Sequence, residues 1–235
     1  MDHLELETKL QVPMDYQTTK SFAINPGFSI NSKHILNTVI ATNKLLTELP
    51  ISLYNIIDYK TTSTLIGRFF CDTLATQVEG ALVNPIEKGH PDLIPKEGEN
   101  ASESQLRNYP TGLEVKCTIG NIRTGANLRA GNKRIDSLTG ITWQAHHQEV
   151  TELLGLIWDF ANKTNSQAFL YPAITGAFFS DKLDKADWGV ISGTTGRNTK
   201  VCGMKSSGRK KMIDGLILVY KEYLNKYIKL LGGES

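Results

Sequence analysis

A chain of 235 residues, 40% of them hydrophobic, is long enough to bury one substantial core and lies in the range of single α/β domains, so one domain spanning 1–235 is expected. A formal charge of +2 at pH 7 is too small to announce a nucleic-acid partner by bulk electrostatics, and the sequence holds no apolar run long enough for a bilayer-crossing helix, so no membrane is expected. The opening MDHLELETKL is acidic and lacks a signal peptide's apolar segment, and Cys71, Cys117 and Cys202 are odd in number and widely spaced, which predicts a cytoplasmic protein with reduced thiols.

Residues 1–30 show no sustained period and contain Pro13, Pro26 and Gly27, so they read as an arm or wrap. From Asn31 to Pro50, Ile35, Leu36, Val39, Ile40, Leu45, Leu46 and Leu49 form a helical stripe, with Asn31 or Ser32 as the cap. A second helix is expected over 62–83, and residues 31–84 together read as packing helices. The texture then changes to short apolar runs of strand length at 93–94, 113–119, 153–160, 168–179 and 216–220. The turn residues of ANKTNS predict a hairpin between the third and fourth runs, hence a partly antiparallel sheet over 85–220. The polar stretch 96–110 reads as a surface loop, 221–235 as a closing amphipathic helix, and Trp143, Trp158 and Trp188 as core. The fold class is therefore α/β, a mixed central sheet flanked by helices.

Two short stretches carry chemistry: GHPDLIP at 89–95 and GLEVKCTIG at 112–120. Mg²⁺ takes hard oxygen ligands, one or two carboxylates among them, and Asp92 and Glu114 supply these. In an extended run Glu114 and Lys116 share a face, while Val115 points to the other and its carbonyl can join the ligand set. The Lys116 ammonium would then orient an attacking water and offset charge in a phosphoryl transition state. Cys117 and Ile119, on the Val115 face, would enter the core.

HPDLIP, the gap of 22 from Asp92 to Glu114 and LEVKCT resemble the PD-(D/E)xK nucleases, and more narrowly type II restriction endonucleases. The resemblance extends less specifically to WQAHHQEVTELLGLIWDF and DWGVISGTTGRNTKVCGMKSSGRKKM, and so covers most of 75–220. It implies a restriction-endonuclease-like fold, Mg²⁺ as cofactor, sequence-specific hydrolysis of double-stranded DNA, and catalytic roles for Asp92, Glu114 and Lys116. In that family an acidic residue on a preceding helix often assists, and Glu79 in TLATQVEGALV is the matching residue. Where some exonuclease branches carry a Gln and a Tyr four apart, this chain has Gln144 and Gln148, which points away from those branches.

Charge distribution adds the expected DNA contacts. Lys116 to Arg134 holds five basic residues and no acidic one, and Arg197 to Lys211 repeats the pattern. Arg123, Arg129, Lys133, Arg134, Arg197, Lys200, Lys205 and Arg209 are the candidates for phosphate contact or base reading, with ordinary solvated charge as the alternative. His146 and His147, with Glu149, suggest a second metal less than they suggest a phosphate or base contact, because neighbouring side chains on one element point apart. His90 reads as a turn-exposed residue, with phosphate contact as the alternative. One catalytic set per chain and a symmetric duplex site imply a homodimer. The alternatives to the nuclease are a non-catalytic DNA-binding module of the same fold and an unrelated α/β enzyme with a chance motif.

Overall fold

The computed structural model describes residues 15–123, 130–161, 170–192 and 201–233. Its main elements in chain order are β1 (Tyr16–Thr18), α1 (Ser32–Glu48), α2 (Tyr59–Gln77), β2 (Ala81–Val83), β3 (Leu93–Pro95), β4 (Val115–Thr118), β5 (Leu153–Ala161), β6 (Tyr171–Ser180), α3 (Ser206–Asp214), β7 (Leu216–Tyr220) and α4 (Leu224–Leu231). A five-stranded mixed sheet runs in the order β1-β7-β6-β5-β4. Its long central strands, β5 and β6, form the antiparallel hairpin that ANKTNS announced, and β4 joins β5 in parallel, with Val115 opposite Leu154 and Lys116 opposite Gly155.

Both central strands are buried along their whole length, because each face of the sheet carries its own core. On one face Ile35, Val39 and Leu46 of α1 and Ile66, Phe70 and Leu74 of α2 pack on Leu154, Leu156, Trp158 and Ile174. On the other, Trp143, Trp188, Met212, Tyr227 and Leu231 pack on Leu153, Ile157, Phe178 and Val219. All three tryptophans are in the core, as expected from their size. No helix among the described residues is long and apolar enough to cross a membrane.

Two local expectations are corrected, and two others gain detail. The α1 stripe is rotated: the face at 35, 39, 42 and 46 is buried, whereas Ile40 and Leu45 are 51% and 39% exposed. Asn43 explains the rotation. Its side chain faces β6, accepting from the Ile174 N–H at 2.7 Å and donating to the Ile174 carbonyl at 3.3 Å, where the β5–β6 register slips. The second helix starts at Tyr59, capped by Asp58, and ends at Gln77 rather than 83; Gly80, at φ +81°, turns the chain into β2. The loop 96–110 contains a 3₁₀ turn over Lys96–Asn100 and a helical turn over Glu103–Leu106, and the arm contributes β1 as the far edge of the sheet.

Candidate active site at the open edge of the sheet

β2 and β3 form an antiparallel ribbon that seats on the outer edge of the sheet. The contact is a single bridge, in which the Leu93 N–H donates to Leu113 O at 3.1 Å and the Leu113 N–H donates to Leu93 O at 2.8 Å. Gly112 permits it: its φ is +143°, and a Cβ there would lie 2.2 Å from Leu93 O. Toward the sheet interior, the Leu154 N–H donates to Glu114 O at 2.9 Å. By the alternation of a parallel ladder, the N–H and C=O of Val115 therefore face the open edge. The Val115 N–H donates to Asp92 Oδ2 at 2.9 Å, which fixes the carboxylate beside β4. Val115 and Ile119 are buried on the helix-covered face with Cys117 packed beside them, as the alternation requires.

Lys116 Nζ lies 2.5 Å from Glu114 Oε1 and 3.3 Å from Asp92 Oδ2, so one ammonium bridges both carboxylates. His90 flanks Glu114 from the other side, with Nδ1 3.3 Å from Oε1. Burial would lift the Glu114 carboxyl, but the hydrogen bond from His90 and the charge of Lys116 outweigh it and bring it down to about 2. Asp92 is pushed up by burial and by the negative charge of Glu114, against the pull of Lys116. For Lys116 burial is the largest effect and is unfavourable to charge, yet the two carboxylates together raise it above the usual lysine value. The Glu114 hydrogen bond raises His90. Cys71 of α2, in the core on the helix side of the sheet, has its thiol pushed well up by burial and lies in the field of the Asp92, Glu114 and Lys116 charges.

Asp92, Glu114, Val115 and Lys116 are thus brought to one place, but Glu79 is not. Glu79 is exposed in the turn after α2, beyond its Val78 cap, at the opposite end of the β2–β3 ribbon from Asp92. The Asn84 N–H donates to Asp92 O at 2.9 Å, and Glu79 lies five residues before Asn84, with the Gly80 turn and β2 between them. His90 is corrected in the other direction: it is half-buried against Glu114 rather than turn-exposed. His146 and His147 converge on it, with ring centroids 6.0 and 5.5 Å away, and His147 Nδ1 lies 3.5 Å from Glu149 Oε2. The sequence placed His90 beside the Pro-Asp pair, but only the fold brings residues 146–149 to it.

The basic candidates divide. Arg134 is inside the protein, 3% exposed, with its guanidinium 4.9 Å over the Tyr59 ring and Nη2 donating to Gly120 O at 3.3 Å, so its charge does not reach the surface. Lys133 pairs with Glu222 at 3.4 Å. Arg123 is exposed, Lys205 is exposed just before α3, and Arg209 is half-buried on α3. Arg129, Arg197 and Lys200 lie outside the described residues.

Two carboxylates, with the outward carbonyl of the residue that follows Glu114, are a hard-oxygen set of the kind Mg²⁺ takes, so the residues fit that ion through Asp92, Glu114 and Val115. Among the described residues no three His, Cys, Asp or Glu side chains already stand as a metal site; the lysine and histidine hold the carboxylates instead. A cleft of about 530 Å³ opens beside Glu114, lined by His90, Tyr109, His147, Glu149, Glu152 and Asp181 among others. Among the described residues its lining contains no lysine or arginine. No family model, no curated protein and no solved structure matches the chain.

Proposed function

We propose that the chain is a Mg²⁺-dependent endonuclease that cuts duplex DNA in the manner of a type II restriction enzyme, its mixed sheet being of the restriction-endonuclease-like kind. One observation carries the reading: Asp92, Glu114 and Lys116, spread over 24 positions, meet at the open edge of the sheet with one ammonium within 3.3 Å of both carboxylates. Asp92 and Glu114 would hold the ion with the Val115 carbonyl. When bound, Mg²⁺ supplies Lewis-acid charge to a phosphate oxygen and makes a water more acidic.

The charges of Asp92 and Glu114 hold Lys116 above the ordinary lysine value despite its burial, which favours its charged form. Its part is to hold the attacking water or a non-bridging oxygen, and to offset charge developing on the phosphate. Asp92 is fixed by the Val115 N–H, so it needs little reorganisation before the substrate arrives. His90 keeps Glu114 ionised and oriented.

The test is incubation of the purified chain with plasmid DNA and Mg²⁺, read as discrete fragments. Asp92→Ala and Lys116→Ala should each abolish cleavage while DNA binding in Ca²⁺ persists, since Ca²⁺ shares the oxygen ligands. Near wild-type cutting by either variant would remove the mechanism. A retarded but uncut band from the wild type would favour the binding module of the same fold.

A further inference from the structure

We infer that the solvent-facing side of a small β-ribbon beside the catalytic strand reads base edges in the DNA major groove, with Gln144 as a specificity-determining residue and Gly203 as the point of closest approach. The inference rests on the nuclease reading above and names the surface that would choose the site to be cut.

The ribbon has three short segments. Gln144–Ala145 pairs antiparallel with Cys202–Gly203, and Gly189 joins on the far side, its N–H donating to Gly203 O at 2.8 Å, with a further bridge between Trp188 and Met204. Burial alternates along each segment. Trp143, Ala145, Trp188, Cys202 and Met204 face inward, whereas Gln144, His146, Gly203, Lys205 and Gly189 face outward. The register puts Gln144, Gly203 and Gly189 in one row on the outer face, and adjacent strands lie about 4.8 Å apart.

Three properties of that face suit a groove. Its centre is a pair of glycines, and a Cβ built on Gly203 meets no described residue within 4 Å, so the backbone is open to close approach. Gln144 is exposed and makes no hydrogen bond to another described residue, which leaves a two-pronged amide of the type that pairs with adenine. Lys205 lies on the same face just before α3, its Nζ donating to Ala186 O at 3.0 Å in an exposed bond that a phosphate could replace, while Val190 and Ile191, 88% and 42% exposed beside Gly189, offer apolar contact of the kind a thymine methyl takes. A two-stranded ribbon is also an element the major groove admits.

The ribbon is tied to the chemistry by Trp143. Its ring lies where a side chain on Gly155 would be, 2.6 Å from a Cβ there, and its Nε1–H donates to Leu156 O at 3.0 Å. Gly155 is the register partner of Lys116, so the reading face and the catalytic lysine are separated by one strand of a packed sheet. The expected loop 120–134 is less suited to this role, since Arg134 is buried and Lys133 is paired.

The experiment compares wild type, Gly203→Val and Gln144→Ala for plasmid cleavage in Mg²⁺ and for binding in Ca²⁺ to the cut site and to one-base-changed duplexes, with thermal melting as the check on folding. Gly203→Val should melt near wild type, because its side chain meets none of the described residues, yet bind the cut site at least about tenfold more weakly. Gln144→Ala should lose about tenfold at the cut site and less at one changed duplex, narrowing the discrimination. Both variants cutting and binding as wild type would overturn the reading face while leaving the nuclease standing. Equal weakening on every duplex would reduce the face to a backbone contact and overturn base reading. A wild type that neither cuts nor binds would overturn the nuclease and this inference together.

Discussion

Glu114 depends on its neighbours for its charge. Its carboxyl is at about 2 in the folded protein against an ordinary 4.5, so the folded state binds its proton less readily than the unfolded state does. The stability it contributes is fully present above about pH 4.5 and is lost as pH falls toward 2; the size is at most about 3 kcal/mol. Glu114→Gln should therefore be less stable than wild type at pH 7, with the gap closing between pH 4.5 and 2 in denaturant titrations. A gap that stays constant over that range would mean that His90 and Lys116 do not hold the carboxylate as described. Asp92 works in the opposite sense, because its carboxyl is raised and does not add to the acid loss.

At the scale of elements, the site depends on two anchors that tie loops to β5. Asp159 accepts from the backbone N–H groups of Arg134, Ile135 and Phe160 at 2.7–3.1 Å while buried to 1% exposure. Burial lifts its carboxyl to about 6 despite those three donors. Asp159→Ala would leave the donors unsatisfied inside the protein and should cost about 3 kcal/mol, read as a lower denaturation midpoint with an unchanged slope. The second anchor is Gly155. A methyl there would meet Trp143 at 2.6 Å and Met212 Cε at 2.8 Å, so Gly155→Ala should cost about 1–3 kcal/mol and displace the ribbon next to Lys116. Cleavage is expected to fall further than stability explains, and a variant that is destabilised yet cuts normally at low temperature would separate the ribbon from catalysis.

For the whole molecule, the proposed single catalytic set per chain makes a two-fold dimer the simplest way to cut both strands of a symmetric site. The complex with DNA in Ca²⁺ is expected to show by light scattering the mass of two chains, and a strictly monomeric mass would count against it. Affinity should also fall steeply with salt, because cations such as Arg123 and Lys205 are exposed while the net charge is only +2. A salt-independent affinity would remove phosphate contacts from the account.

The sequence by itself determined the class of the fold and the letters of the site. Period-2 and period-3.6 patterns gave the mixed sheet and its flanking helices, since those patterns follow from backbone geometry, and Glu114-Val115-Lys116 fixed which side chains share a face because alternation along a strand is local. Alternation cannot say which edge is open, what seats on it, or which distant residues arrive there. The bridge between Leu93 and Leu113 placed Asp92 beside Lys116, and the packing of residues 143–149 brought His147 to within 5.5 Å of His90. The same long-range packing removed Glu79 and Arg134 from the surface of the site, one at the far end of a ribbon and the other beneath Tyr59. Those placements depend on contacts across tens of residues, and only tertiary structure decides them.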